Sequence, residues 1–262
     1  MPYAEVNGQR LYFEDTGGEG PPIVFSHGFL MDHEMFAPQV EAFRGTHRVI
    51  TWDERGFGET EFDGQPFTYW DSARDLFGLL DHLGIERAVL AGMSQGGYLS
   101  LRAALLAPDR VRALILIDTQ APPEDPDKIV GYRAMIDQWV EHGYQEELAT
   151  VVAGLIIGNP DLEQPWKAKW RSWPASRLAA AGPALLDRDD ITDRLPEIDA
   201  PTLLVHGRED SAIPVDRADQ IAALVTDSRG VVVVDGAAHA ANLSHPEVVN
   251  PAIRDFLDGL PA

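Results

Sequence analysis

The sequence predicts an α/β fold with a mostly parallel, eight-stranded sheet flanked by helices, and three observations carry that expectation. Six short apolar runs recur without polar alternation, helical segments separate most of them, and an amino-terminal hairpin supplies two further strands. Runs lacking polar alternation suit strands covered on both faces, which is the environment of parallel strands under helices. Strands alternating with helices then imply right-handed crossovers.

The hairpin is read from "YAEVNGQRLYFED", where Asn7 and Gly8 separate two alternating segments. Asn-Gly supplies the two positive-φ positions of a type I′ turn. The buried strands are "IVFS" (Ile23 to Ser26), "RVITW" (Arg48 to Trp52), "AVLAG" (Ala88 to Gly92), "ALILID" (Ala113 to Asp118), "TLLVHG" (Thr202 to Gly207) and "VVVVDG" (Val231 to Gly236). In "TYWDSARDLFGLLDHLG", Thr68 and Asp71 form a capping-box pattern, Leu76, Leu79, Leu80 and Leu83 make one apolar stripe, and Gly84 ends the helix. "QGGYLSLRAALLAPDR" reads as a helix closed by Pro108, and "PEVVNPAIRDFLDGL" as a last helix with a kink expected at Pro251.

One stretch breaks the alternation. Residues 122–185 show helical segments and prolines but no strand pattern, and they hold Trp139, Trp166, Trp170 and Trp173, four of the six tryptophans. This is expected to be a helical cap over the carboxyl ends of the strands, where open α/β sheets bind ligands. Residues 1–121 and 186–262 are expected to form the core.

Composition excludes several functions. With no cysteine, the 262-residue chain has neither disulfides nor thiolate metal sites, and a cysteine nucleophile is ruled out. A formal charge of −21 argues against nucleic acid or an anionic membrane as partner, since phosphate repels such a surface. No apolar run reaches the roughly 18 residues needed to span a bilayer, and "MPYAEVNGQR" lacks a basic-then-apolar leader, so a cytoplasmic location is expected. There is no H-E-x-x-H, EF-hand or clustered histidine pattern for a metal. Gly56-Phe57-Gly58 lacks the third glycine of a dinucleotide fingerprint, and no cofactor is expected. The sequence is compatible with a homo-oligomer and does not specify one.

Gly92-Met93-Ser94-Gln95-Gly96 matches G-x-S-x-G and lies where an apolar strand turns into a helix, the context that motif requires. Such a corner strains the central residue, and the flanking glycines give the room it needs. It lifts Ser94 clear of the sheet and aims the helix amides at developing negative charge. Gln95 N–H is thus the expected oxyanion donor, with no role required of its side chain.

A serine needs a base and an orienting acid. Of eight histidines, His239 lies in the loop after the "VVVV" strand, whereas His206 sits at a strand end as a structural residue and the others lack a matching context. For the acid, Asp210 in "HGREDSAIP" follows the preceding strand; Asp118, at the end of "ALILID", is its rival. In Ser26-His27-Gly28-Phe29, Gly28 allows close backbone approach, so Phe29 N–H is expected to be the second oxyanion donor.

With "SHGF", "DERGFGET", "GMSQGG", "HGREDSAIP" and "GAAHAANLSHPE" all present, the chain resembles the α/β-hydrolase fold family from hairpin to last helix. The resemblance implies a Ser94–His239–Asp210 triad with Phe29 and Gln95 amides, and structural roles for Asp53 and Arg55. Ala238 departs from the glycine often found before the histidine. A serine at position 94 speaks against the haloalkane dehalogenases and epoxide hydrolases, which use aspartate there, and no HGGG motif is present. The chain looks like the small capped branch of carboxylesterases, enol-lactonases, perhydrolases and C–C bond hydrolases. The expected activity is hydrolysis of carboxylic esters or lactones on a small-molecule substrate. Perhydrolysis, C–C cleavage and a ligand receptor on the same fold are the alternatives. The apolar insertion, Phe29 and Met93 suggest a hydrophobic substrate, with Trp139 and Trp166 as candidate lining residues.

Overall fold

The computed structural model describes residues 2–261. Its sheet has eight strands in the order β1-β2-β4-β3-β5-β6-β7-β8. These are β1 (Tyr3–Val6), β2 (Gln9–Asp15), β3 (Pro22–Ser26), β4 (Arg48–Trp52), β5 (Ala88–Met93), β6 (Val111–Ile117), β7 (Thr202–Gly207) and β8 (Ser228–Val234). β1 and β2 form the antiparallel hairpin, β2 also runs antiparallel to β4, and every later pairing is parallel. Asn7 and Gly8 have φ of 50° and 79°, as the turn requires.

The helices of the α/β layers are α1 (Ala37–Phe43), α2 (Tyr69–His82) and α3 (Gln95–Leu106) before the insertion. At the start of α2 the Thr68 hydroxyl accepts from Asp71 N–H, and Asp71 Oδ2 accepts from Thr68 N–H at 2.9 Å, completing the capping box. Between β6 and β7 come four helices and no strand: α4 (Pro126–His142), α5 (Glu146–Ile156), α6 (Pro160–Ser172) and α7 (Leu178–Leu186). The chain closes with α8 (Asp216–Leu224), the single turn α9 (Ala241–Ser244) and α10 (Pro246–Asp258). α10 runs continuously from Pro246 to Asp258 with Pro251 inside it. The proline lies on the exposed face, where the carbonyl it leaves unpaired, that of Glu247, is also exposed to water.

β6 begins two residues earlier than its apolar run, and β8 spans Ser228–Val234 where Val231–Gly236 was expected. β8 is the edge strand, half covered, so the polar Ser228 pairs with Thr202 of β7 and Arg229 sits at a break in the register, neither needing burial. Burial on both faces splits the apolar residues into two groups. Leu76, Leu79, Leu80 and Leu99 pack on one face of the sheet, while Phe25, Ile115 and Val205 face the other and join the insertion's Trp139 and Trp170. The central strands β3, β5, β6 and β7 thus hold a row of carboxyl ends, and the loops that follow β5, β6 and β7 carry Ser94, Asp118 and Asp210.

Candidate active site

The turn from β5 to α3 puts Ser94 at φ 53° and ψ −113°, a region that side-chain-bearing residues avoid. Its surroundings hold it there. Ser94 N–H donates to Ile117 O at 2.9 Å, and its carbonyl accepts from Gly97 N–H, Tyr98 N–H and the Thr119 hydroxyl. A Cβ at Gly92 would overlap the Gly96 carbonyl, and one at Gly96 the Ser26 carbonyl, so both glycines are sterically required.

Three loops converge on the serine. Ser94 Oγ lies 2.9 Å from His239 Nε2 across 145 residues of sequence, and His239 Nδ1 lies 2.7 Å from Asp210 Oδ2. With Nδ1–H donating to the carboxylate, Nε2 is left to accept the serine proton. Asp210 Oδ1 accepts from Ala212 N–H and Ile213 N–H, both at 2.9 Å, which fixes the carboxylate plane. All three residues are buried, at 5 to 7 % exposure. Burial penalises the imidazolium of His239, but the charge and hydrogen bond of Asp210 outweigh it, and the pKa is raised. For Asp210 burial also opposes ionisation, yet His239, His206 and the backbone donors hold its carboxyl below the usual range.

Asp118, the rival acid, has a different task. Its Oδ1 accepts from Gly207 N–H at 2.6 Å and its Oδ2 from Ala241 N–H at 3.0 Å, tying the end of β7 to the loop that carries His239. His206 is buried as expected, with Nε2 donating to Ile213 O at 2.8 Å. It also lies 3.3 Å from Asp210 Oδ2, a contact that its residue type did not reveal. The signal was its position four residues before the acid at a strand end. Asp118, His206 and Asp210 have the spacing of a metal group, but both Asp118 oxygens and His206 Nε2 are already hydrogen-bonded to backbone.

Both expected oxyanion amides are braced from behind. His27 Nδ1–H donates to Gly28 O at 2.8 Å, and His27 Nε2 accepts from Glu54 N–H at 3.0 Å. Fixing the Gly28 carbonyl fixes the Gly28–Phe29 peptide plane, and with it the direction of Phe29 N–H. Gln95 turns its side chain inward, where Nε2 donates to Glu54 Oε1 and Oε1 accepts from the Tyr69 hydroxyl, both at 3.2 Å. Glu54 therefore touches both halves, a role that no local pattern in "DERGFGET" disclosed. Asp53 accepts from His33 N–H, His33 Nδ1–H and Glu59 N–H, and Arg55 forms a two-pronged pair with Asp75.

Above the serine, a cleft of about 800 Å³, its open mouth included, is walled by Phe29, Met93, Trp139, Ile156 and Leu178 and reaches His239. Trp166 does not line it. Its indole is buried, with the Lys169 ammonium 4.6 Å from the ring centroid, and that ammonium pairs with Asp32 at 2.6 Å and Glu34 at 2.9 Å in the segment after β3.

A strained serine at a strand–helix corner, reached by a histidine and an aspartate from later strand ends, defines a class of hydrolase. The family model for the alpha/beta hydrolase fold matches residues 21–246, and the chain belongs to that family. It is similar in structure to a thermophilic esterase from Thermogutta terrifontis, with a TM-score of 0.90 and 31% identity over 99% of this chain and 98% of that one. An enol-lactonase from Burkholderia xenovorans LB400 superimposes with the same TM-score of 0.90 at 28% identity, covering 98% of this chain and 100% of the other. A non-heme chloroperoxidase of Streptomyces lividans is 28% identical, with 96% of this chain and 97% of that protein covered. No helix among the described residues is long and apolar enough to cross a membrane.

Proposed function

We propose that the protein is a serine hydrolase of carboxylic esters or lactones. The observation that carries this reading is the unbroken hydrogen-bonded chain from Ser94 Oγ through His239 to Asp210. Ser94 Oγ attacks the substrate carbonyl as its proton passes to His239 Nε2. Phe29 N–H and Gln95 N–H receive the oxyanion, and removing one such donor typically costs about 3–4 kcal/mol of transition-state stabilisation. His239 then gives the proton to the leaving alkoxide, and the C–O bond breaks to leave an acyl-serine. Water, deprotonated by the same imidazole, attacks the acyl carbon, and the serine leaves with the proton held by His239. Asp210 keeps the ring in the Nδ1–H tautomer and stabilises its charge.

The esterase and enol-lactonase likeness supports this substrate class. Incubation with a fluorophosphonate, followed by peptide mass spectrometry, tests it: a single adduct on Ser94 with parallel loss of p-nitrophenyl ester and lactone hydrolysis is expected. An enzyme left active after modification of Ser94 would overturn it. The likeness to a non-heme chloroperoxidase favours one second reading, in which peroxide replaces water at the acyl-enzyme. Bromination of monochlorodimedone in the presence of acetate, peroxide and bromide, the bromide being oxidised by the peracid formed, separates the two.

A further inference from the structure

One end of the cleft is polar, and its charge arrangement is unusual. Among mostly apolar walls it presents Tyr98, Tyr132 and Glu124. Tyr98 lies one helical turn beyond Ser94 on α3, so this end is close to the acyl position. Burial and then the neighbouring Glu124 charge push the Tyr132 phenol up to about 12, which keeps it a hydrogen-bond donor as well as an acceptor.

Glu124 lines the cleft, while the cation that balances it does not. The Arg188 guanidinium stacks over the Tyr98 ring at 4.3 Å, and its side chain is only 1 % exposed. It donates to Leu185 O at 2.6 Å and Pro122 O at 3.3 Å, and approaches Glu124 Oε2 at 3.7 Å. Glu124 Oε1 accepts from Asp125 N–H at 3.1 Å, which leaves acceptor capacity on both oxygens. Lys128, one turn further along, donates to Ser211 O and Ala212 O. No lysine or arginine stands among the lining residues. A substrate chain reaching this end therefore meets Glu124, whose side chain is 9 % exposed, whereas Arg188 does not line the cleft.

The geometry points to Glu124 as a specificity residue that admits uncharged acyl chains, including chains carrying a hydroxyl or amide N–H at the far end, and rejects chains ending in a carboxylate. This rests on the ester or lactone reading of the Ser94 site. A hydroxyl donates to the free lone pairs of Glu124, whereas a second carboxylate there lies beside a like charge in a poorly solvated site.

Three methyl esters sharing a six-carbon acyl chain test it: methyl hexanoate, methyl 6-hydroxyhexanoate and monomethyl adipate. Turnover is followed by pH-stat, and binding by calorimetry on Ser94→Ala. The hydroxy ester should match the alkyl ester within about threefold, because its buried hydroxyl finds an acceptor. The adipate ester should have a kcat/KM at least about 100-fold lower, the scale of a desolvated like-charge contact. In Glu124→Gln the buried Arg188 loses its counter-charge, and the ratio of alkyl to adipate kcat/KM should fall at least about tenfold. Equal use of the adipate ester by the native enzyme, an unchanged ratio in Glu124→Gln, or a hydroxy ester more than about tenfold worse than the alkyl ester would each overturn the assignment. The calorimetric arm separates the two readings. Charge discrimination in binding without hydrolysis would sink the hydrolase reading alone, and hydrolysis without discrimination would sink this one alone.

Discussion

His206 Nε2 lies 3.3 Å from Asp210 Oδ2, the oxygen that also receives His239 Nδ1–H at 2.7 Å. Two imidazoles thus share one oxygen of one carboxylate. The His206 side is closed by Ile213 O and by the strand end, whereas the His239 side opens onto the serine.

This sharing sets a pH dependence. His239 has a raised pKa, so its neutral, proton-accepting form accumulates only above the ordinary value of 6.5. Ester hydrolysis should rise with pH through a single acid limb whose midpoint lies above 6.5, read from kcat/KM in the free enzyme. His206 opposes the rise, both by its own charge and by drawing on Asp210. Replacing it with Asn removes Nε2 and that opposing charge, and should move the midpoint up. A midpoint that stays put or moves down would show that His206 does not act on Asp210.

Asp210 and Asp118 should separate cleanly on mutation. Asp210→Asn should lower kcat by about 10⁴-fold, because the amide favours the wrong imidazole tautomer. Asp118→Asn presents an NH2 group where a carboxylate oxygen now accepts from backbone N–H, and should cost about 1–3 kcal/mol of stability. Thermal unfolding alongside ester kinetics checks both. The reverse pattern would transfer the acid role to Asp118.

The elbow stores strain that glycine would release. Ser94→Ala should abolish turnover, with a loss of at least about 10⁴-fold in kcat, and retain the fold. Ser94→Gly should be equally inactive and yet more stable than Ser94→Ala by about 1 kcal/mol, since glycine reaches a positive φ without penalty. In a chain of this size that is about 2–4 °C in Tm. Equal melting temperatures for the two variants would remove the strain argument.

The brace behind the proposed oxyanion amides should matter for rate more than for binding. Glu54→Gln keeps the backbone N–H that holds His27 but alters the side chain that holds Gln95. Because oxyanion donors act chiefly in the transition state, kcat should fall about tenfold with KM nearly unchanged. A rise in KM at constant kcat would place Glu54 in substrate binding instead.

Much of this architecture was legible because it is written in short stretches. Asn7-Gly8, the Thr68/Asp71 box and the elbow glycines each act over a few residues, through backbone sterics and hydrogen bonds that the residue types alone dictate. The buried strands were legible for a similar reason, since burial on both faces leaves no polar alternation. β8 was placed less well, because an edge strand tolerates polar residues that a central strand would not. Ser94 and His239 could be chosen from strand-end position, and the structure brings them within hydrogen-bonding distance.

What the tertiary structure decided was which long-range neighbours meet. Asp118 and Asp210 both follow strand ends and are both buried aspartates. Only the path of the loop after β8 puts His239 against one and Ala241 N–H against the other. Trp139 and Trp166 are both insertion tryptophans, and the packing of their separate helices, α4 and α6, puts one on the cleft and leaves the other buried away from it. Glu124 and Arg188 stand on opposite flanks of that insertion and pair only once the chain has returned to the sheet. Sequence by itself determined the strained serine and the scaffold that carries it, because those depend on contacts within one turn. The polar end of the cleft depends on packing across the whole chain, and folding alone assembles it.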